Sequence, residues 1–315
     1  VKRIANLGMS YMGSKRKLAE PILNKILDDN PNTKYIYDLF GGGGAISFNA
    51  VQRKQIKQVF YNELNTGIVE LLKDVVNNGI TEKYYNFIDR KVFFDNKDKD
   101  TWLGGLCKIV WSFGNNQSSY IYGRHLEEDK YLLHDIVVNR RKKSLEKFNT
   151  KYNLRIYIPE WNIQKRKLNI TKQIKKKLYN KKDIQYLGRI EHLDRINLLT
   201  RVQYLKDIKV NNKLIITNKS YEDVIIDTPI EETIIYLDPP YKNTEKYQEQ
   251  IDYEKLFNWV KNNPYTIYLS SYEYNLACVK EFSHRSILSA TANNEVREKL
   301  FCNKDIEPRI IPTLF

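Results

Sequence analysis

The chain has 315 residues, 42% of them hydrophobic, which is enough to bury one large core or two modest ones and excludes disorder and collagen-like repeats. No stretch approaches the roughly 18 consecutive apolar residues a membrane span requires, and VKRIANLGMSYMGSKRK at the start has no apolar signal core, so a cytoplasmic location is expected. Lys and Arg number 52 against 38 Asp and Glu, and this net charge of +14 favours a polyanionic partner.

Lys15 to Leu27 places Leu18, Ile22, Leu23 and Ile26 at helical spacing, and Asn30-Pro31-Asn32 ends the run. KYIYDLF, Lys34 to Phe40, reads as a strand that stops at four glycines, and Ala45 to Gln52 resumes a helical pattern. QVFYN, Gln58 to Asn62, predicts a second strand, followed by a helix from Thr66 to Val76. The first hundred residues thus open with a strand, glycine turn, helix, strand unit.

The middle of the chain holds the charge. Thr101 to Ser220 contains 26 Lys and Arg against 10 Asp and Glu, a net of +16, so the rest of the protein carries −2. Codon bias would spread lysine evenly, whereas this stretch concentrates Arg140-Arg141-Lys142-Lys143, Lys165-Arg166-Lys167 and Lys175-Lys176-Lys177, interleaved with aromatics such as Trp102, Trp111, Phe113, Tyr120, Tyr122, Tyr131 and Trp161. Arg124, Arg140, Arg141, Lys165, Arg166 and Lys167 are therefore expected to meet nucleic-acid phosphates. Leu193, Ile196, Leu199, Val202, Leu205 and Ile208 recur every third residue, and on a helix such a series cannot stay on one face, which predicts a helix with a bend. Strands return at KLIIT, TIIYL and TIYL, with an amphipathic helix from Asp252 to Val260. The three cysteines and four histidines are scattered without C-x-x-C or ligand spacing, so neither a disulfide framework nor a metal site is expected.

Two elements carry chemistry. Asp38-Leu39-Phe40-Gly41-Gly42-Gly43-Gly44 joins a strand to a helix, where glycine permits positive φ and close approach of a ligand to the main chain. Glu63 ends the following strand, at the place where Rossmann-type units set a carboxylate on a ribose diol. No G-K-[ST] follows the glycines, so the turn is not a phosphate loop. The second element is Asp238-Pro239-Pro240-Tyr241 after an apolar strand. Two prolines end the strand in a rigid turn without N–H donors, which leaves the Asp238 carboxylate, a proline carbonyl and the Tyr241 ring. Two acceptors and an aromatic face suit an NH2 group on a flat heterocycle.

In order along the chain, Tyr11-Met12-Gly13-Ser14-Lys15, Phe40-x-Gly42-x-Gly44, Glu63, Ser220-Tyr221-x-Asp223, Asp238-Pro239-Pro240-Tyr241, Ser286-Ile287 and Val296-Arg297-Glu298-Lys299-Leu300 resemble the motifs of Dam-type DNA adenine methyltransferases of the alpha arrangement. The resemblance fades from about Phe94 to Asn218. It implies an α/β, Rossmann-like domain with a mixed, mostly parallel sheet and helices on both faces, interrupted by a mostly helical, basic target-recognition insert. The expected division is a cofactor-binding half over 1–100, the insert over 101–212 and a catalytic half over 213–315. It further implies S-adenosylmethionine as cofactor, held by Tyr11, Lys15, Asp38, Phe40, Gly42, Gly44, Glu63, Ser220, Tyr221 and Asp238, and catalysis by Asp238, Pro239, Pro240 and Tyr241 on a flipped adenine in double-stranded DNA. A restriction endonuclease acting on the same site is a further expected partner; no metal is called for. Cytosine or RNA amines, and a DNA-binding relative without activity, are the alternatives. Asp at the first position of the tetrapeptide favours adenine over cytosine, where Ser is more common.

Overall fold

A computed structural model gives the structure of the protein and describes residues 3–177, 187–206, 212–240, 251–272, 274–285 and 295–304. The chain divides into two compact units. One comprises Val1–Gly8, Gly13–Val69 and Tyr204–Phe315; the other comprises Met9–Met12 and Glu70–Gln203.

The first unit is built on a sheet with strands β1 (Tyr35–Asp38), β2 (Gln58–Asn62), β3 (Leu214–Thr217), β4 (Thr233–Leu237), β5 (Thr266–Ser271), β6 (Ala277–Arg285) and β7 (Glu295–Cys302). Their spatial order is β3-β2-β1-β4-β5-β7-β6. The strands from β3 to β5 are mutually parallel, and β7 runs antiparallel between β5 and β6. This is the mixed, mostly parallel Rossmann-like sheet expected. Buried parallel strands need apolar side chains on both faces, and TIIYL is buried at every position.

Helices cover both faces. α1 (Ala19–Asp29) lies on the side where Tyr268 donates its hydroxyl hydrogen to Asp29 and accepts from the Asn30 amide. On the opposite side Leu256 and Val260 of α10 (Tyr253–Asn262) pack with Tyr37, Leu39, Ile235, Leu237, Ile267 and Leu269. Each such fully buried aliphatic side chain stabilises the fold by about 1.5–3 kcal/mol. The chain steps from β1 outward through β2 to β3 on one side, then continues with β4 and β5 on the other. The reversal falls between β1 and β4, and open α/β sheets bind ligands at the carboxyl edge of such a switch point.

The second unit is mostly helical among its described residues. It contains most of α3 (Thr66–Asn78), then α4 (Arg90–Asn96), α5 (Trp102–Val110), α6 (Glu127–His134), α7 (Lys142–Tyr152), α8 (Ile163–Lys177) and α9 (Glu191–Val202). Most of the every-third-residue series lies on α9. Leu193, Ile196, Leu199 and Val202 are fully buried around α9, which ends at Val202, and Leu205 is buried beyond that end; Ile208 lies outside the described residues. A helix whose apolar stripe winds round it must be covered on several sides.

Two of the four histidines, His134 and His192, are far apart in sequence but meet in space. The Tyr122 hydroxyl lies 2.7 Å from His192 Nδ1, and His192 Nε2 lies 2.9 Å from His134 Nδ1. Trp111 stacks on His192 with ring centroids 4.2 Å apart. Burial pushes His134 down to about 4 and His192 well below the ordinary 6.5, so both rings are neutral in the folded protein at neutral pH. The unfolded chain protonates them near 6.5. Their contribution to stability is therefore complete above about 6.5 and is lost as pH falls toward about 4. The thermal midpoint of this unit, followed by near-ultraviolet dichroism, is expected to drop steeply across that interval in the wild type and less steeply in His192→Gln. Equal pH dependence in the two proteins would contradict the linkage.

Candidate active site

The carboxyl edge of β1 begins with Asp38, which pairs in register with Tyr61 of β2 and Tyr236 of β4. Glu63 and Asp238 each stand two residues beyond those partners, so three carboxylates leave the sheet at one edge. Between them runs the glycine turn into α2 (Ala45–Ala50). Gly44, at φ 72, occupies the N-cap of α2 and has no side chain with which to cap it. Asp38 does this from the strand end, its Oδ2 accepting from Ser47 N at 3.2 Å and Ser47 Oγ at 2.7 Å. Asp38 is only 2% exposed. Burial foremost raises its carboxyl to about 7; the Ser47 hydrogen bonds oppose this, and the charges of Asp238 and Glu63 add to it.

Gly42, at φ 47, is held from both sides. Its N–H donates to Glu63 Oε2 at 2.8 Å, and its carbonyl accepts from the Tyr61 hydroxyl at 2.8 Å. Glu63 Oε1 accepts from Asn65 N at 2.9 Å. Asn62, which sequence reasoning missed, is the brace of the edge. Its amide donates to the carbonyls of Leu39 and Lys219 at 3.1 and 2.9 Å, while its oxygen accepts from Lys219 N at 3.1 Å. A polar side chain ending an otherwise apolar strand was the available signal.

Phe40 meets Tyr221 with ring centroids 5.4 Å apart, and Tyr221 in turn meets Trp259 at 5.4 Å. Tyr221 is thus a core residue that supports Phe40 from behind, and the partly exposed Ser220 begins its turn. Pro239 is buried, and the Tyr253 hydroxyl at the start of α10 donates to the Pro240 carbonyl, fixing the turn after β4. Lys15 supplies positive charge. Its ammonium is 2.8 Å from Asp238 Oδ1, 3.5 Å from Glu298 Oε1 and 3.3 Å from the Gly13 carbonyl. Burial works against this charge most strongly, yet Asp238 and Glu298 together outweigh burial and hold the ammonium above its ordinary value.

The fold therefore brings Lys15, Asp38, Phe40, Gly42, Gly44, Glu63, Ser220, Tyr221, Asp238, Pro239 and Pro240 into one unit. Tyr11 belongs to the other unit, in Met9–Met12. Tyr241, Ser286 and Ile287 lie outside the described residues.

The basic residues of the helical unit sort by helix geometry. Successive residues on a helix point about 100° apart, so a run of three cannot share one face. Lys165 is exposed, but Arg166 and Lys167 are each 6% exposed. The Arg166 guanidinium donates to the carbonyls of Val137 and Trp161, and Lys167 pairs with Asp194. Phosphate contact expected of Arg166 and Lys167 is accordingly replaced by an internal role. The outward face of α8 instead presents Lys165, Leu168, Lys172, Lys175 and Lys176. Arg124 is exposed, whereas Arg140 pairs with Glu160 and Arg141 lies 3.4 Å from Asp135.

The profile of the D12 class of N6 adenine-specific DNA methyltransferases matches residues 11–301. The chain belongs to this class. The D12 methyltransferase is thus an adenine-specific DNA-methylating enzyme, and its substrate is DNA. No curated protein matches its sequence. Among the described residues of the methyltransferase no helix is long and apolar enough to cross a membrane, and no group of His, Cys, Asp and Glu could hold a metal ion.

Proposed function

We propose that the methyltransferase binds S-adenosylmethionine against the glycine turn after β1 and methylates the exocyclic amine of an adenine turned out of double-stranded DNA. The observation that carries this reading is the position of the Asp238-Pro239-Pro240 turn, at the switch-point edge and next to the turn of β1. The donor set fits a cationic cofactor. Asp38, Glu63 and Asp238 crowd one edge, enough to help raise Asp38 to about 7, and a sulfonium with an ammonium group brings the charge that relieves this crowding. Each oxygen of a carboxylate such as Glu63 can accept more than one hydrogen bond, as a ribose diol requires.

Bound there, S-adenosylmethionine supplies an electrophilic methyl group. The adenine amine is a weak nucleophile because its lone pair is delocalised into the ring. The Asp238 carboxylate and the Pro239 carbonyl accept its two hydrogens, favouring a more tetrahedral nitrogen, and these bonds strengthen as positive charge develops there. With a methyl donor bound there, Asp238 would accept one amine proton as the nitrogen is methylated and pass it on to solvent. Tyr241, outside the described residues, is assigned the stacking face for the extruded base. Extrusion costs on the order of a few kcal/mol, which binding to the phosphates offsets.

Phosphate binding is assigned to Arg124, Arg140, Arg141 and Lys165, together with Lys172 and Lys176 on the outward face of α8. Replacing Lys165, Lys172 and Lys176 by Gln is expected to flatten the dependence of log K on log salt by about 0.9 for each phosphate no longer neutralised. Arg166→Ala is expected instead to lower the thermal midpoint, since it strips the bound carbonyls of Val137 and Trp161. An unchanged salt slope in the triple variant would remove α8 from the interface. The function itself is tested by transfer of a tritiated methyl group to duplex DNA, RNA or protein: label confined to DNA supports it, and label on RNA or protein overturns it.

A further inference from the structure

Glu298 has no part in the proposed chemistry, yet it is among the most enclosed acids of the sheet unit. It sits on β7, opposite Phe282 of β6, and is 3% exposed. On this strand Glu298, Leu300 and Cys302 alternate inward while Arg297 and Lys299 do not, so a carboxylate occupies a position where the pattern calls for an apolar side chain. Its oxygen is 3.5 Å from the Lys15 ammonium, which also lies 2.8 Å from Asp238. One buried cation is therefore shared by two carboxylates, of which only Asp238 is at the substrate edge.

We propose that Glu298 is a positioning residue that acts through Lys15 to set the orientation and hydrogen-bond-accepting strength of Asp238. The inference rests on the function proposed above. While Glu298 draws on Lys15, the ammonium does not neutralise Asp238 fully, and Asp238 keeps the electron density with which it accepts the amine hydrogens. When the substrate amine arrives, the ammonium has a second carboxylate to move toward. Without Glu298 the lysine falls wholly to Asp238, which makes Asp238 a weaker acceptor and lets it ionise at lower pH. Groups that interact with Asp238 or share its charged neighbours include Lys15, Asp38 from β1, Tyr236 from β4, Tyr272 after β5 and Glu298 from β7. Burial, foremost, raises both tyrosines, so they stay neutral at neutral pH. Asp38 titrates in the assay range and must be controlled.

The experiment is the pH profile of single-turnover methyl transfer by the full chain, with saturating S-adenosylmethionine and duplex DNA. Glu298→Gln is expected to lower the rate about tenfold at neutral pH and to move the acid limb down by about one unit. KM for both substrates is expected to change little. Glu298→Asp should recover much of the rate, and the shift should persist in an Asp38→Asn background. A folded Glu298→Gln protein with unchanged rate and acid limb overturns the inference, as does a loss confined to KM. Should Glu298→Gln fail to fold, Lys15→Met and Lys15→Met with Glu298→Gln are compared, the pair removing both buried charges. Coincident profiles support action through Lys15, and distinct profiles refute it. Wild-type protein that transfers no methyl group to DNA defeats the proposed function itself, an outcome separate from all of these.

Discussion

Asp238→Ala is expected to reduce the rate of methyl transfer on the order of 10²- to 10³-fold while cofactor binding survives. The carboxylate stands past the end of β4, and its bond to the substrate amine is stronger in the transition state than in the ground state, so its loss falls on kcat rather than KM. Truncation also deprives the buried Lys15 of the nearer of its two carboxylates, with Glu298 left at 3.5 Å. Asp238→Asn separates the two effects, because it keeps the shape and one acceptor oxygen while removing the charge. Single-turnover rates and calorimetric cofactor titrations on both variants check this. A wild-type rate in either would remove Asp238 from the chemistry, and loss of cofactor binding alone would reassign it to the cofactor.

Gly42→Val carries the second large effect, and on a different step. Gly42 has φ 47, a region a β-branched residue enters only with strain of about 1–3 kcal/mol. Its N–H and carbonyl are both tied, to Glu63 and to the Tyr61 hydroxyl, so the turn cannot relax without releasing the carboxylate assigned to the ribose. S-adenosylmethionine affinity is expected to fall roughly ten- to a hundredfold, since each 1.4 kcal/mol is about a factor of ten. The transfer rate at saturating cofactor should change far less. Isothermal titration provides the check; an unaltered dissociation constant would show that the turn serves the fold alone.

Much of the sheet unit was legible because its signals are local. Apolar runs stopped by Gly42 and its neighbours, or by Pro239 and Pro240, mark strand ends whatever lies around them, and β2 and β4 fall where the pattern puts them. β1 is shorter than read, ending at Asp38, since Leu39 already begins the turn. The residues Lys15, Phe40, Glu63 and Asp238 were legible as candidates, and the fold holds them in one unit, but Asp38 was not legible as the cap of α2, nor Asn62 as a brace. Those roles depend on hydrogen bonds between separate segments of the chain. Glu298 needed β7 to be set beside β5 before its carboxylate could be seen facing Lys15. The helical unit misled in one respect: charge counted along the chain does not say which way a helix turns it, and Arg166 and Lys167 face inward. Likewise the aromatics among the charge divide, with Trp111, Tyr120 and Tyr122 in the core and Phe113 and Trp161 exposed. His134 and His192 are 58 positions apart, and no spacing rule brings them together.

The most direct test is to supply S-adenosylmethionine carrying a deuterated methyl group to the wild-type protein with duplex DNA, digest the product to nucleosides and locate the label by mass spectrometry. Deuterated methyl is expected on the exocyclic nitrogen of deoxyadenosine and nowhere else, with at most a trace from Asp238→Ala over the same time. Label on cytosine, or equal labelling of adenine by the variant, would contradict the assignment of Asp238 as the acceptor that selects and activates an adenine amine.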